Sequence, residues 1–321
     1  MKVICIGEAL IDFVCTQTDC ITQRQEVYMK KPGGAPANVA ACIGHLDGQA
    51  EFVGALGNDH FGQFLVDTLE SYQVGTRFVQ RVDVPTTLAF VTLQDDGERE
   101  FTFNRGADAE YSLAAADIDV LTDQAICHFG SATAFLEGTL QHSYMRFAQI
   151  VKEREAFFSF DPNYRPDLWE GKETEFRLYC EKMLAMADMV KVSEDELFML
   201  TQTQNLAAGC ESLHAMGASY VFVTLGSKGC LLSVNGEREV IPAPRIDAID
   251  TTGAGDAFVG AMLYKIANGQ PFKSLNFKDW KLYTVFAVQI SALVCTQIGA
   301  MSALSAIEKS SYVQSLGSGT I

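Results

Sequence analysis

Short apolar runs, each long enough for one buried strand, recur along this chain with helical patterns between them: Val3–Ile6, Ala125–Phe129, Phe157–Phe160, Met189–Val192 and Tyr220–Thr224. Runs that are apolar at almost every position suit strands covered on both faces, whereas a sheet with one wet face alternates. Helical patterns fall between most of them, as at Asn38–Leu46, Phe61–Tyr72, Glu194–Leu200 and Leu206–Met216, and Phe52–Val53 reads as one further short strand. Strands that alternate with helices make βαβ units. The expected fold is therefore α/β. A single domain over 1–321 is built on a doubly wound, mostly parallel sheet with helices on both faces, and its last long helices are Ala257–Ala267 and Trp280–Val294.

Two stretches break the rhythm. Asp12–Lys30 is polar and irregular, and Thr86–Phe103 reads as a hairpin: Thr87–Leu93, a turn at Gln94-Asp95-Asp96-Gly97, then Glu100–Phe103. Asp-Gly is a hairpin-turn signal. The inserted segments at about 13–32 and 86–105 are expected to form a small β flap or lid, either closing over a site or merely decorating the surface. The Ser/Gly-rich tail Ser310–Ile321 is expected to be loose.

Composition narrows the function classes. With 48% hydrophobic residues over 321 positions the chain has ample material for a core. No segment nears the about 20 uninterrupted apolar residues that a membrane span needs. The N-terminal apolar run is broken by Glu8 and Asp12, which favours a first strand over a signal peptide. Nine cysteines, scattered and without a CxxC pair, fit neither a disulfide framework nor a structural zinc site. These features point to the cytoplasm. A net charge of −16 argues against nucleic acid as a partner, because phosphate backbones demand basic faces. It does not argue against a nucleotide, which backbone N–H groups and a helix N-terminus can hold.

The segment richest in chemistry is Asp250-Thr251-Thr252-Gly253-Ala254-Gly255-Asp256, followed by the apolar stretch Ala257–Leu263. Small residues at Gly253, Ala254 and Gly255 let backbone come close to a ligand. The helix that follows offers N–H groups and a positive dipole end to an anion. Asp256, alone, reads as an ordinary helix cap. Beside a bound phosphate the same carboxylate can take a proton from an attacking hydroxyl, as phosphoryl transfer requires. The segment is neither a Walker loop nor a dinucleotide fingerprint, and no G-x-G-x-x-G follows the first strand, which sets a Rossmann oxidoreductase aside.

This segment resembles the C-terminal signature D-T-x-G-A-G-D of the ribokinase-like (PfkB-type) carbohydrate kinases. Gly33-Gly34-Ala35-Pro36-Ala37-Asn38-Val39-Ala40 matches their N-terminal G-G-x-x-x-N-x-A. Gly7 with Asp12, Gly54–Gly62 and Thr224-Leu225-Gly226-Ser227-Lys228-Gly229 also fit in order, so the resemblance spans essentially the whole chain. It implies a ribokinase-like fold and an ATP-dependent sugar kinase that uses Mg²⁺. Asp256 would be the general base and the N–H groups of Gly253, Ala254 and Gly255 the anion hole. Lys191, Ser193, Glu196, Thr224, Gly226 and Gly229, with Gly253 and Gly255, would lie along the nucleotide. Asp250, Thr252 and backbone around Gly299 resemble a monovalent-cation site, hence K⁺. The family's N-x-x-E motif appears as Ser193-Glu194-Asp195-Glu196, so Glu196 would act on Mg²⁺ through water, the bland alternative being an acidic first helical turn.

A sugar pocket needs groups that accept and donate in fixed directions. Asp12, Gly33, Gly34 and Asn38 are candidates, Asn38 also reading as a helix cap. Asp161-Pro162-Asn163-Tyr164-Arg165, followed by Leu168-Trp169, is similar to the fructokinase and 2-keto-3-deoxygluconate kinase branches, or is simply a polar turn. Glu100–Asp108 resembles the fructokinase flap. Asp161, Arg165, Arg105 and Phe101 or Phe103 would then face the sugar. The resemblance thus implies fructose as acceptor. Kinases of 2-keto-3-deoxygluconate, aminoimidazole riboside or ribose, or a non-catalytic sugar sensor, are the alternatives. A homodimer through the lid is the implied assembly; neither nucleic acid nor membrane is an expected partner.

Overall fold

The computed structural model describes residues 1–15, 27–93, 99–122 and 125–307. Cys20, the turn proposed at Gln94–Gly97 and the tail Ser310–Ile321 lie outside the described residues. The strands, in chain order, are β1 (Lys2–Ile6), β2 (Leu10–Cys15), β3 (Tyr28–Gly33), β4 (Ala50–Gly57), β5 (Gly75–Val82), β6 (Leu88–Leu93), β7 (Arg99–Asn104), β8 (Ala125–Phe129), β9 (Phe157–Phe160), β10 (Met189–Ser193), β11 (Tyr220–Thr224), β12 (Cys230–Val234) and β13 (Glu237–Ile241).

Nine of these form one sheet in the order β13-β12-β11-β10-β9-β8-β1-β4-β5. All pairings from β5 through to β11 are parallel, and only the β11–β12 and β12–β13 pairings are antiparallel. Side chains of a strand point alternately to its two faces. Val3 and Cys5 accordingly join one core layer, with Val39, Phe258 and Met262, while Ile4 and Ile6 join the other, with Phe129, Phe147 and Phe158. The doubly wound α/β reading holds.

From β1 the chain builds first toward β4 and β5, then returns to add β8 and its successors on the other side. The reversal opens a crevice at the carboxyl ends of β1 and β8, where ligands of open α/β sheets bind. Glu8, Ser131, Asp161, Ser193 and Thr224 all stand at or just beyond such strand ends.

The sequence reading needs correction in several places. Phe52–Val53 belongs to an eight-residue strand, β4, whose glycines Gly54 and Gly57 hid its length. Asp12–Lys30 is not irregular throughout, because its ends are strands β2 and β3. These pair with the expected hairpin β6–β7 in a second sheet ordered β3-β2-β6-β7. Phe13 pins that sheet to the helix His60–Ser71, stacking on Phe90 at 5.3 Å and meeting Phe61 edge-on at 5.8 Å. The penultimate long helix is Ala254–Asn268, three residues longer at its start than expected. It is apolar nearly all round and packs between the helices Ala35–His45 and Phe277–Val294, as a helix buried on every side must. Burying Phe258 alone contributes about 1.5–3 kcal/mol. Its N-terminus, and Asp256 with it, is thereby anchored in the core.

Candidate active site

Gly253 precedes the helix Ala254–Asn268 with φ 76°, and a Cβ placed on it would lie 2.3 Å from the Cβ of Ala300. Only glycine accepts both the left-handed backbone and the close approach. The chain then enters the helix abruptly, so its first-turn N–H groups and positive dipole end face the crevice. Asp256 is the third helical residue. Its carboxylate is buried and accepts from Nδ2 of Asn38 at 2.8 Å, a partner 218 residues away in sequence. Burial raises its pKa above the ordinary aspartate value, against the opposing pull of Asn38, Arg165 and Lys191. Because an ionised carboxylate only accepts, the NH₂ of Asn38 must face Asp256. The carbonyl Oδ1 of Asn38 is buried and has no hydrogen-bond partner among the described residues.

Around Asp256 lies a cavity of about 640 Å³, walled at one end by Asp12, Gly34, Asn38 and Phe103 and at the other by Thr251, Thr252, Gly253 and Gly255. A second cavity, of about 610 Å³, has apolar walls from Ala243, Phe258, Val288 and Ala292 and a turn containing Gly226 and Gly229. Thr224, Thr251 and Gly255 line both. A polar pocket and an apolar one therefore meet at the anion-attracting helix end, with a carboxylate on the polar side.

The loop after β9 supplies the floor. Asp161 pairs with Lys191 at 3.0 Å and both are buried. Burial pushes the Asp161 carboxyl up while Lys191 acts against it. For Lys191, burial disfavours the charge, but Asp161 and Glu196 outweigh it and raise its pKa. Asn163, at φ 50°, donates Nδ2 to the Gly130 carbonyl at 2.9 Å and accepts from Arg165 Nη2 at 3.1 Å. Arg165 lines the cavity; Asp161 stands behind Lys191 and does not.

Glu196 and Ser193 form a capping box: Ser193 Oγ accepts from the Glu196 N–H at 3.1 Å, and Glu196 Oε2 from the Ser193 N–H at 2.7 Å. Glu196 Oε1 accepts from the Tyr164 N–H at 2.9 Å, tying β10 to the loop after β9. The carboxylate still lines the cavity, and each oxygen keeps a second acceptor position, so the residue fits a metal-bound water. Asp250, Thr252 and Gly299 do come together. The N–H of Thr252 reaches Asp250 Oδ1 at 2.7 Å, and that of Gly299 reaches Oδ2 at 2.8 Å.

Arg105 is not brought to the cavity. It bonds Asp108 at 3.1 Å, the Thr133 carbonyl at 3.1 Å and the Glu137 carbonyl, spending its guanidinium on the loop after β8. Gly33 pairs with Leu10 at the end of β3 and is not a wall residue. The side chain of Phe101 lies outside the described residues. Sequence reasoning missed Glu8, which it used only to break an apolar run. Its buried carboxylate accepts from the Ala35 N–H at 3.1 Å, from Ser131 Oγ and from the Ala132 N–H at 3.3 Å. It thereby fastens the glycine-led helix Ala35–His45 to the loop after β8, and burial raises its pKa to about 6. An acidic residue just past the end of an apolar buried strand was the signal available.

Two cavities joined at a glycine-led helix, with a buried carboxylate at the junction, suit the transfer of a phosphoryl group to a hydroxyl. Comparison with known proteins agrees: the description "pfkB family carbohydrate kinase" matches residues 1–307. Fructokinase-1 of Oryza sativa subsp. japonica is 38% identical over 306 residues, covering 94% of each chain. The fructokinase of Vibrio alginolyticus is 35% identical over 93% of this chain and 94% of its own. Among solved structures, the Vibrio cholerae O395 fructokinase bound to fructose, ADP and calcium superimposes with a TM-score of 0.84 at 33% identity, covering 94% and 95% of the two chains. The Salmonella enterica aminoimidazole riboside kinase, complexed with its riboside and an ATP analogue, also gives 0.84, at 27% identity over 98% and 100%. The chain belongs to the pfkB family of carbohydrate kinases.

Proposed function

We propose that the enzyme transfers the γ-phosphate of ATP to D-fructose, giving fructose 6-phosphate and ADP. The carrying observation is the position of Asp256, between a polar pocket and the N–H groups of Gly253–Gly255 where the two cavities join. Fructose hydroxyls bind against Asp12 and the unpartnered Oδ1 of Asn38, with Phe103 beside the ring. ATP lies in the second cavity with its γ-phosphate at the helix end. The acceptor hydroxyl gives its proton to Asp256 as its oxygen bonds to the γ-phosphorus, and the bond to the β–γ bridging oxygen breaks with its electron pair leaving on ADP. The small sheet closes as a lid to keep water from competing. Glu196 would hold a Mg²⁺ ion through one of its waters, and the ion would supply charge neutralisation on the phosphates. A Glu196→Gln variant should need more magnesium for half-maximal rate; an unchanged magnesium titration would count against that role.

The direct test is ADP release from Mg-ATP with fructose, ribose, 2-keto-3-deoxygluconate and aminoimidazole riboside. Strong turnover with fructose supports the assignment. Preference for another acceptor keeps the kinase and overturns the substrate. Running the assay in potassium and in tetramethylammonium salts tests a cation role for Asp250, which equal rates would refute. We place the enzyme in the cytoplasm, as a homodimer through the lid, and a monomeric mass by light scattering would exclude the dimer.

The acid limb of the rate profile offers a finer check. Asp256 must be ionised to act, so kcat should rise with pH through a pKa above the ordinary aspartate value and then level off. The Asn38 hydrogen bond favours the carboxylate, so Asn38→Ala should move that limb to higher pH while weakening sugar binding. A limb that stays in place would separate Asn38 from the base.

A further inference from the structure

The helix Ala35–His45 starts without a cap of its own. Gly34 precedes it with no side chain to offer, and its first turn holds no acidic residue. A buried first turn in that state would leave N–H groups unpaired and the positive dipole end unanswered. Glu8 supplies the remedy from another segment. Its Oε1 accepts from the N–H groups of Ala35 and Ala132, and its Oε2 from the hydroxyls of Ser131 and Thr133. Glu8 lines the first cavity, yet the four lone-pair positions of its carboxylate are spent on these four buried neighbours. The far anchor is stiff, because Ser131 Oγ itself accepts from the Ala134 N–H at 2.9 Å. The near one is close-packed: a Cβ on Gly34 would lie 2.5 Å from the Glu8 carbonyl oxygen. Asn38 depends on this clamp. Its N–H bonds the Gly34 carbonyl at 2.8 Å, so a shift of Gly34–Ala35 reaches it directly, and its amide donates to Asp256.

We propose that Glu8 is a positioning residue for the transfer: it fixes the first turn of the helix Ala35–His45 from the loop after β8 and thereby sets how closely Asn38 holds Asp256. This rests on the reading of Asp256 as the base. Glu8 acts through Asn38 and takes no proton in the reaction. The charged and titratable groups facing Asp256 are Lys191 of β10, Arg165 and Asp161 of the loop after β9, and the Cys42 thiol. Those facing Glu8 are Asp108 and the Tyr144 hydroxyl.

Two variants separate reach from charge. Glu8→Asp keeps the charge but falls one methylene short of Ala35. Glu8→Gln keeps an oxygen toward Ala35 and Ala132 and drops the charge. Glu8→Asp should move the acid limb of kcat to higher pH by about half to one unit and raise KM for fructose about 3- to 10-fold, the worth of one loosened hydrogen bond. Glu8→Gln should leave the limb near its wild-type place, although it removes a carboxyl that itself titrates at about 6. In the Glu8→Asp/Asn38→Ala double variant the limb should go no further than in Asn38→Ala, since both act through one bond. A limb moved to lower pH by Gln and unmoved by Asp would make Glu8 a charge acting through space. Limbs unmoved in both, with only lower melting temperatures, would make the clamp purely structural, and additive shifts in the double variant would separate Glu8 from Asn38. Each of these overturns the proposal. If Glu8→Asp does not fold, Ser131→Ala loosens the clamp from its far side and faces the same outcomes. Absence of wild-type turnover on every sugar would sink the kinase reading itself, whereas wild-type turnover beside unmoved limbs sinks only Glu8.

Discussion

Replacing Asp256 by Asn should leave a folded protein that binds sugar and nucleotide but turns over about 10²–10⁴-fold more slowly, the usual worth of a positioned general base. Asn is close to isosteric, keeps an oxygen toward Asn38 and removes only the ability to take a proton. The helix that carries it is fixed by Phe258, Met262 and their neighbours, so the backbone has no reason to move. Burial currently disfavours the charged carboxylate, and the variant removes that cost, so thermal stability should hold or rise. The measurement is single-turnover ADP formation alongside fructose binding by calorimetry. Binding kept with turnover lost fits a base. Turnover retained within a few-fold of wild type would mean that another group or water takes the proton.

The second large effect is expected at Gly253. An alanine there must hold φ 76° and place its Cβ 2.3 Å from the Cβ and 2.8 Å from the Cα of Ala300, a backbone atom that has no rotamer to yield. The left-handed conformation costs about 1–2 kcal/mol and the overlap a further ~1–3 kcal/mol. Because the strain is relieved only by moving the helix start, the N–H groups and Asp256 shift together, and displacements near 1 Å cost catalysis about 10²-fold. Gly253→Ala should therefore lose both stability and kcat. Gly171→Ala, at φ 70° with open space around the new Cβ, is the control for the backbone term alone. Equal stability losses in the two variants would show that the contact with Ala300 is soft and that the helix start is not rigidly held.

Legibility from sequence followed the range of the interactions involved. Central strands such as Ala125–Phe129 and Tyr220–Thr224 match the sequence reading to the residue, because burial on both faces writes a nearly uninterrupted apolar run. β2 and β3 were missed because a two-sided, partly wet sheet mixes Asp12, Lys30 and Lys31 with Phe13 and Val14. Asp256, Asn38 and the glycines were found through local motifs. What no local pattern carries is pairing at a distance. That Asn38 turns its amide to Asp256, that Glu8 fastens three segments, and that Arg105 is drawn to the loop after β8 all depend on strand order. Glu196 was legible as an acidic first turn and equally as a metal-handling group, and the capping box accounts for the first description.

The two walls of the first cavity are supported independently. Asn38 and Asp256 belong to helices locked in the central core, while Asp12 and Phe103 ride on the small sheet, moored to the rest chiefly by the cluster around Phe13. Under the proposed function, substitutions on that outer wall should change which acceptor fits without disturbing the helix that carries Asp256. Over evolutionary time such a scaffold can trade one sugar for another by small, cheap steps, keeping the chemistry as the inherited part and the diet as the negotiable one.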